Sequence, residues 1–177
     1  EHHRLWPWGP AGIRFELRHV LRQHLSGWGY RVCMVLLSLP LLPFMLIEKA
    51  LFRYESSWSW RFAARHKGRA LAKAKPFDLI YSTGGAYAAH WAGCDLHLAL
   101  GTPWLAEVHD PFLMPGKTAK TAHERKKLDV ERMICSHADL AIWFTQQAML
   151  SAERRQPQLK GRGMGIMPGI DQPFPCG

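Results

Sequence analysis

Sequence motifs for disulfide frameworks and for metal sites are missing from this chain of 177 residues. Its four cysteines (Cys33, Cys94, Cys135 and Cys176) are scattered, with no CxxC pair and no clustering with histidine at metal-ligand spacing. Neither a disulfide framework nor a structural zinc site is expected, and free thiols in a reducing cytoplasm fit better. The first residues also lack the basic and apolar regions of a secretory signal. The chain does not begin with Met, so we expect a fragment or a processed chain.

Long apolar runs are also missing. The uncharged apolar stretch over residues 32–47 has sixteen residues, whereas a membrane-spanning helix needs about 20. Pro40 and Pro43 lie within this stretch and would interrupt a helix. Three interpretations stay open: a membrane span, a core segment such as a buried strand and loop, or a segment in the membrane interface. Nearby arginines, Trp58 and Trp60 favour the interface.

Acidic residues are scarce in the first part of the chain. Residues 1–75 contain thirteen Lys and Arg but only four Asp and Glu, whereas residues 76–177 contain ten of each kind. The net charge of +9 therefore belongs to the first part, where residues 13–26 form a basic amphipathic helix. No helix-turn-helix, zinc finger or aromatic RNA-binding pattern accompanies these bases. A peripheral membrane surface is the expected partner, and nucleic acid is not.

After residue 76, short apolar segments alternate with helical patterns. Strands are predicted over 77–83, 103–110, 138–145 and 162–169, and helices over 86–100, 122–137 and 146–155. This alternation predicts an α/β fold, a Rossmann-like parallel sheet with helices on both faces. We divide the chain into a basic amphipathic and apolar segment over 1–57, the α/β domain over 58–170, and the start of a linker over 171–177.

Ligands of parallel sheets bind beyond the carboxyl ends of the strands. Here those ends are polar or glycine-rich: Ser82 to Gly85, His109 and Asp110, Thr145 and Gln146, and Pro168 to Asp171. His109 can hydrogen-bond a substrate and respond to charge near neutral pH. Backbone N–H groups of residues 82–85 can hold an anionic or sugar group. The alternative is that both segments are only turns.

Glu107 and three acidic residues of one predicted helix receive structural interpretations. Glu107 lies inside a predicted strand and needs a partner if it is buried, because an unpaired buried charge is costly. Glu124, Asp129 and Glu131 alternate with bases along one predicted helix. That pattern is typical of a solvated helix face.

Four segments in this order resemble the N-terminal, acceptor-side domain of family 4 (group 1) glycosyltransferases with the GT-B fold: KPFDLIYSTGG, PWLAEVHDPF, ERMICSHADLAIWFT and IMPGID. The similarity covers about residues 58–173. It implies transfer of a sugar from a nucleotide-sugar donor to a glycan or lipid-linked acceptor, at the cytoplasmic face of the membrane. No cofactor and no metal is implied, because the nucleotide-sugar is itself a substrate.

The resemblance also implies roles for individual residues. His109 would be catalytic and lie near the transferred sugar. Ser82, Thr83, Gly84, Gly85 and Asp110 would bind the acceptor, and Gly169 and Asp171 would belong to a hinge.

The sequence departs from the family in two ways. The family's first strand with its glycine-rich loop is not evident before residue 30. The basic residue and paired glutamates of the donor-binding domain are also missing from these 177 residues. We therefore expect the chain to need a C-terminal donor-binding domain and to be inactive alone. The alternative is a non-catalytic, membrane-anchored acceptor-binding subunit that recruits a separate donor-binding chain.

Overall fold

The computed structural model describes residues 2–52, 58–84, 86–167 and 169. Within these ranges the helices are α1 (Pro10–His24), α2 (Gly27–Ser38), α3 (Leu42–Phe52), α4 (Trp60–Ala74), α5 (Tyr87–Leu100), α6 (Ala122–His137) and α7 (Gln146–Arg155). The strands are β1 (Ile80–Thr83), β2 (Trp104–Val108), β3 (Leu140–Trp143) and β4 (Gly163–Gly165). The predicted linker over 171–177 lies outside the described residues, and the proposed boundary at residue 57 stays a prediction.

The four strands form one parallel sheet in the order β1-β2-β3-β4. The predicted α/β fold with a parallel sheet is therefore confirmed. Consecutive parallel strands are joined by right-handed crossovers, which place α5, α6 and α7 on the same side when the strand order never reverses. The expectation of helices on both faces is thus wrong for the described strands and the helices that connect them.

Burial confirms that one face of the sheet carries the core. Trp104, Val108 and Trp143 are at most 1% exposed and pack with Val130 and Ile134 of α6. Side chains on the opposite face are more accessible: Tyr81 of β1 is 55% exposed and Met164 of β4 is 43% exposed. Alternation along the strands therefore separates one buried face from one partly open face.

The N-terminal helices have a different character. Helix α1 packs on both α2 and α3, and α4 packs on α5. Within the described residues, no single helix is long and apolar enough to cross a membrane. The helices Gly27–Ser38 and Leu42–Leu51 are long and apolar enough only when taken together, and their axes are bent by 63° relative to each other. Pro40 lies at the bend, where its missing N–H breaks the helical ladder. The strand-and-loop interpretation of residues 32–47 is therefore wrong.

A buried carboxylate joins the N-terminal helices to α4. Glu48 is 7% exposed and accepts hydrogen bonds from the Ala11 backbone N–H (2.9 Å) and the Trp58 indole. Its negative charge lies at the N-terminus of α1, where the unpaired N–H groups favour an anion. Ser59, directly before α4, accepts a hydrogen bond from the Gly9 N–H at 2.8 Å. This junction fixes where the chain before α1 meets α4.

Helix α6 corrects the prediction of a solvated acidic face. Glu131 is fully buried, and its two carboxylate oxygens accept hydrogen bonds from Arg155 at 2.9 and 2.7 Å. These hydrogen bonds raise the pKa of Arg155. Glu124 forms a capping box with Thr121 at the start of the helix, and Asp129 lies on the surface beside Arg132. The prediction is wrong for Glu131, because the side chain of Arg155 at the end of α7 lies where solvent was expected.

Candidate functional site

Side chains from three neighbouring strands meet at the carboxyl edge of the sheet. His109, just after β2, has its Nε2 2.9 Å from Thr83 Oγ1 at the end of β1. The same nitrogen is 3.5 Å from Glu107 Oε1 within β2. The ring of Phe144, just after β3, stacks on the imidazole with centroids 4.4 Å apart and planes 21° apart. Of the four strand ends named from the sequence, those after β1 and β2 are thus brought together at His109.

The contacts of His109 determine which nitrogen can act on a ligand. A carboxylate can only accept, so Glu107 favours the tautomer with its proton on Nε2. In that tautomer the N–H donates to Thr83 Oγ1, and Nδ1 carries the free lone pair. The His109 side chain is 40% exposed, which leaves it accessible. The arrangement suits a base or hydrogen-bond acceptor whose ring is held by its other nitrogen.

A buried hydrogen-bonded chain supports the loop after β1. The Trp104 indole N–H donates to Ser82 Oγ at 2.9 Å. Ser82 donates in turn to His90 Nδ1 at 3.0 Å, and His90 Nε2–H donates to the Gly84 carbonyl at 3.1 Å. His90 has no exposed surface. Burial lowers its pKa, with a smaller contribution from nearby His109, against the opposing Gly84 hydrogen bond. His90 is therefore held neutral, as a support for this loop.

The predicted binding loop divides into inward and outward parts. The Ser82 side chain is buried, and both of its hydrogen bonds are internal. The Thr83 side chain is accessible and contacts His109. Gly84 has φ +105°, a conformation that side chains rarely adopt. Gly85 lies outside the described residues. Thr83 and the backbone at Gly84 are thus the parts available to a ligand.

The segment after His109 is anchored in the core. Asp110 is exposed, but Phe112 and Leu113 are only 6% and 5% exposed. The Phe112 ring packs against Tyr87 at the start of α5, with centroids 5.8 Å apart. These two apolar residues hold the turn, so His109 and Asp110 stay at the edge of the sheet.

The later strand ends contribute less. Thr145 caps α7 by accepting a hydrogen bond from the Ala148 N–H at 3.2 Å. Gln146 approaches Gly165 so closely that a Cβ there would lie 2.5 Å from its Oε1. Gly169 is exposed, and Asp171 lies outside the described residues. The hinge role of these two residues stays a prediction.

Two important residues were not identified from the sequence. His90 was placed only in a predicted helix, although a single histidine within the apolar run AYAAHWAG was a usable signal. Phe144 was assigned only to a predicted strand, because nothing local shows that its ring reaches His109. The Phe144 contact joins segments far apart in the sequence, whereas His90 contacts the loop just before its own helix.

The thiols of Cys94 and Cys135 are buried. Burial raises the pKa of the Cys94 thiol to about 11 and that of Cys135 to about 12. Both therefore stay protonated and poorly nucleophilic at neutral pH. In the described part of the chain, no three His, Cys, Asp or Glu side chains are grouped to hold a metal ion.

No family model matches the chain, and no curated protein matches its sequence. The geometry at the carboxyl edge of the sheet is therefore the basis for a functional proposal. The resemblance stated above remains a prediction from four sequence segments.

Proposed function

We propose that this chain is the acceptor-side half of a GT-B glycosyltransferase, which transfers a sugar from a nucleotide-sugar to a glycan or lipid-linked acceptor. The observation that carries the proposal is the convergence of Thr83, Glu107 and Phe144 on His109 at the carboxyl edge of the sheet. Parallel α/β sheets bind ligands at this edge. A separate donor-binding domain would supply the nucleotide-sugar.

The chemistry proposed for His109 follows from its two nitrogens. Nδ1 accepts the proton of the acceptor hydroxyl as that oxygen bonds to the sugar carbon, and the nucleoside diphosphate leaves with the electron pair of the broken bond between that carbon and its phosphate oxygen. The imidazolium formed is stabilised by Glu107, 3.5 Å from Nε2. Phe144 limits rotation of the ring. Thr83, Gly84 and Asp110 would contact the acceptor around this centre.

The transfer experiment measures incorporation of labelled sugar from a panel of nucleotide-sugars into lipid extract. It uses the protein in native membranes, where any donor-binding partner is retained. Replacement His109→Ala should lower kcat by about hundredfold or more, since general base catalysis contributes that much. His123→Ala, an exposed histidine on α6, is the matched control. Full activity in His109→Ala would contradict the proposal. Acceptor binding without transfer by any preparation would favour the non-catalytic subunit.

We also propose that α2 and α3 attach the chain to the cytoplasmic face of a membrane. Large apolar side chains along both helices are more than half exposed: Trp28, Val35, Leu36, Phe44, Leu46, Ile47 and Leu51. An apolar surface of this size is unusual for a protein surrounded by water. The adjoining α1 contributes arginines that anionic lipid would attract.

Flotation on vesicles tests this attachment. Leu36→Asp combined with Leu46→Asp should weaken partitioning at least about hundredfold, because each buried carboxylate costs about 2.5 kcal/mol or more in lipid. The control combines Leu98→Asp with Leu150→Asp, which alters exposed leucines of α5 and α7. Equal losses in the two double variants, or no binding by the unmodified chain, would contradict attachment through α2 and α3.

A further inference from the structure

A cleft between the chain before α1 and helix α4 is separate from the carboxyl edge of the sheet. Its volume is about 500 Å³, and its lining includes Trp8, Phe62, Arg65, His66, Arg69 and Lys73. We propose that this cleft binds the phosphate group of an amphiphilic ligand. The inference concerns binding alone and does not depend on sugar transfer.

The cations along one wall supply the charge for a phosphate. Arg65, Arg69 and Lys73 are spaced four residues apart on α4, so they form a stripe about 12 Å long. Within the described part of the chain, none of the three forms a salt bridge with a carboxylate. Their charges are therefore available to an anion from outside. Guanidinium groups match the geometry of phosphate oxygens in paired hydrogen bonds.

The aromatic side of the cleft explains why the ligand should also have an apolar part. The Trp8 and Phe62 rings are stacked, with centroids 6.4 Å apart and planes 17° apart, and His66 lies 6.1 Å from Trp8. Trp8 nevertheless stays 59% exposed. An accessible indole face suits the apolar part of an amphiphile, whereas a bare inorganic ion would gain little from it.

The position of Trp8 is fixed by the junction described above. The N–H of Gly9, the next residue, donates to Ser59, and a Cβ at Gly9 would lie 2.5 Å from Glu48 Oε1. Glu48 belongs to α3, one of the two helices with exposed apolar side chains. The cleft thus adjoins the proposed membrane-attached helices. Two kinds of ligand would present such a phosphate group: the headgroup of a membrane lipid and a soluble phosphate ester.

The first experiment measures binding in solution by calorimetry, with short-chain dihexanoyl phosphatidic acid below its micelle concentration and with inorganic phosphate. Arg65→Ala combined with Arg69→Ala should weaken binding of the phosphatidic acid at least about tenfold, since about 1.4 kcal/mol of lost ion pairing has that effect. Arg154→Ala combined with Lys160→Ala removes the same charge outside the cleft and should leave binding unchanged.

The second experiment distinguishes the two sources. Flotation measures binding to phosphatidylcholine vesicles with and without phosphatidic acid. Attachment through α2 and α3 contributes to both, so the difference in binding reports the phosphate group. A gain with phosphatidic acid that is lost in the Arg65 and Arg69 double variant identifies a lipid headgroup. Binding of the soluble compounds without that gain identifies a free phosphate ester. Equal binding by the two double variants in both experiments, or no binding at all, would overturn the proposal.

Trp8→Ala tests the aromatic side of the cleft. This variant should lose affinity for dihexanoyl phosphatidic acid several-fold while its weaker affinity for inorganic phosphate is unchanged. An equal loss for both compounds would overturn the role given to the indole face. Urea unfolding of each variant confirms that the fold is retained.

Discussion

The sheet domain and the helices before it contain the same types of large apolar residue in opposite environments. In the sheet domain, Trp104 and Trp143 are almost completely buried between strands and helices. In the preceding helices, Trp28 is 79% exposed and Leu51 is 70% exposed. Hydrophobic burial stabilises a fold only where an element has a partner face. The sheet has such a face within this chain, whereas α2 and α3 leave much of their apolar surface accessible.

The largest expected effect tests this contrast directly with two tryptophans. Trp104→Ala removes a fully buried ring that also donates to Ser82, and it should lower the free energy of unfolding by about 4 kcal/mol. Trp28→Ala should change it by less than about 0.5 kcal/mol, as expected at an exposed site. Urea unfolding followed by circular dichroism measures both. Similar costs at the two positions would show that α2 has a buried face in solution.

Two ion pairs extend the comparison within the sheet domain. Arg155→Ala leaves the fully buried Glu131 without its partner and should cost about 3 kcal/mol. Arg132→Ala breaks the exposed pair with Asp129 and should cost less than about 0.5 kcal/mol. Urea unfolding at neutral pH measures the difference. A cost for Arg155→Ala as small as that for Arg132→Ala would mean that Glu131 reaches water.

Helix capping gives a smaller contrast between the two regions. Thr121 accepts a hydrogen bond from the Glu124 N–H, whereas Ser26 makes no side-chain capping bond at the start of α2. Thr121→Ala should therefore cost about 1 kcal/mol, and Ser26→Ala considerably less. Thermal unfolding followed by circular dichroism measures the two shifts in Tm. Equal shifts would contradict this difference in capping.

The last contrast is one of pH dependence and concerns the titration of His90. Burial lowers its folded-state pKa below the unfolded value of 6.5. Below pH 6.5 the unfolded chain therefore binds more protons at this position than the folded chain does, and stability falls as the pH falls. His90→Gln should reduce this loss of stability between pH 6.5 and 5. Above pH 7 the pH dependence of stability should be the same in the variant and the unmodified chain. Identical pH profiles of unfolding free energy would show that His90 does not titrate on unfolding.

Local chemistry explains which elements could be predicted well. The predicted ranges 122–137 and 146–155 coincide with α6 and α7, because Thr121 and Thr145 cap them through contacts a few residues away. The strand ends were predicted less well: 103–110 was expected, and β2 spans Trp104–Val108. A strand ends where its neighbours stop pairing, and that depends on residues far along the chain.

The candidate site shows the same division. His109 and Thr83 could be selected as residues at strand ends, because apolar segments followed by polar ones are visible in sequence. That Phe144 contacts His109 could not be predicted, since neither the strand register nor the ring direction is encoded locally.

By itself, the sequence determined the alternation of strands and helices, the concentration of positive charge before residue 76 and the break at the prolines. These follow from periodicity, composition and backbone chemistry over short distances. Only the tertiary structure decided that Glu131 and His90 are buried, that Ser82 points inward, and that Trp8 meets α4. Such outcomes depend on which surfaces pack together, because the cost of burying a polar group is offset only by the partner that the fold brings to it.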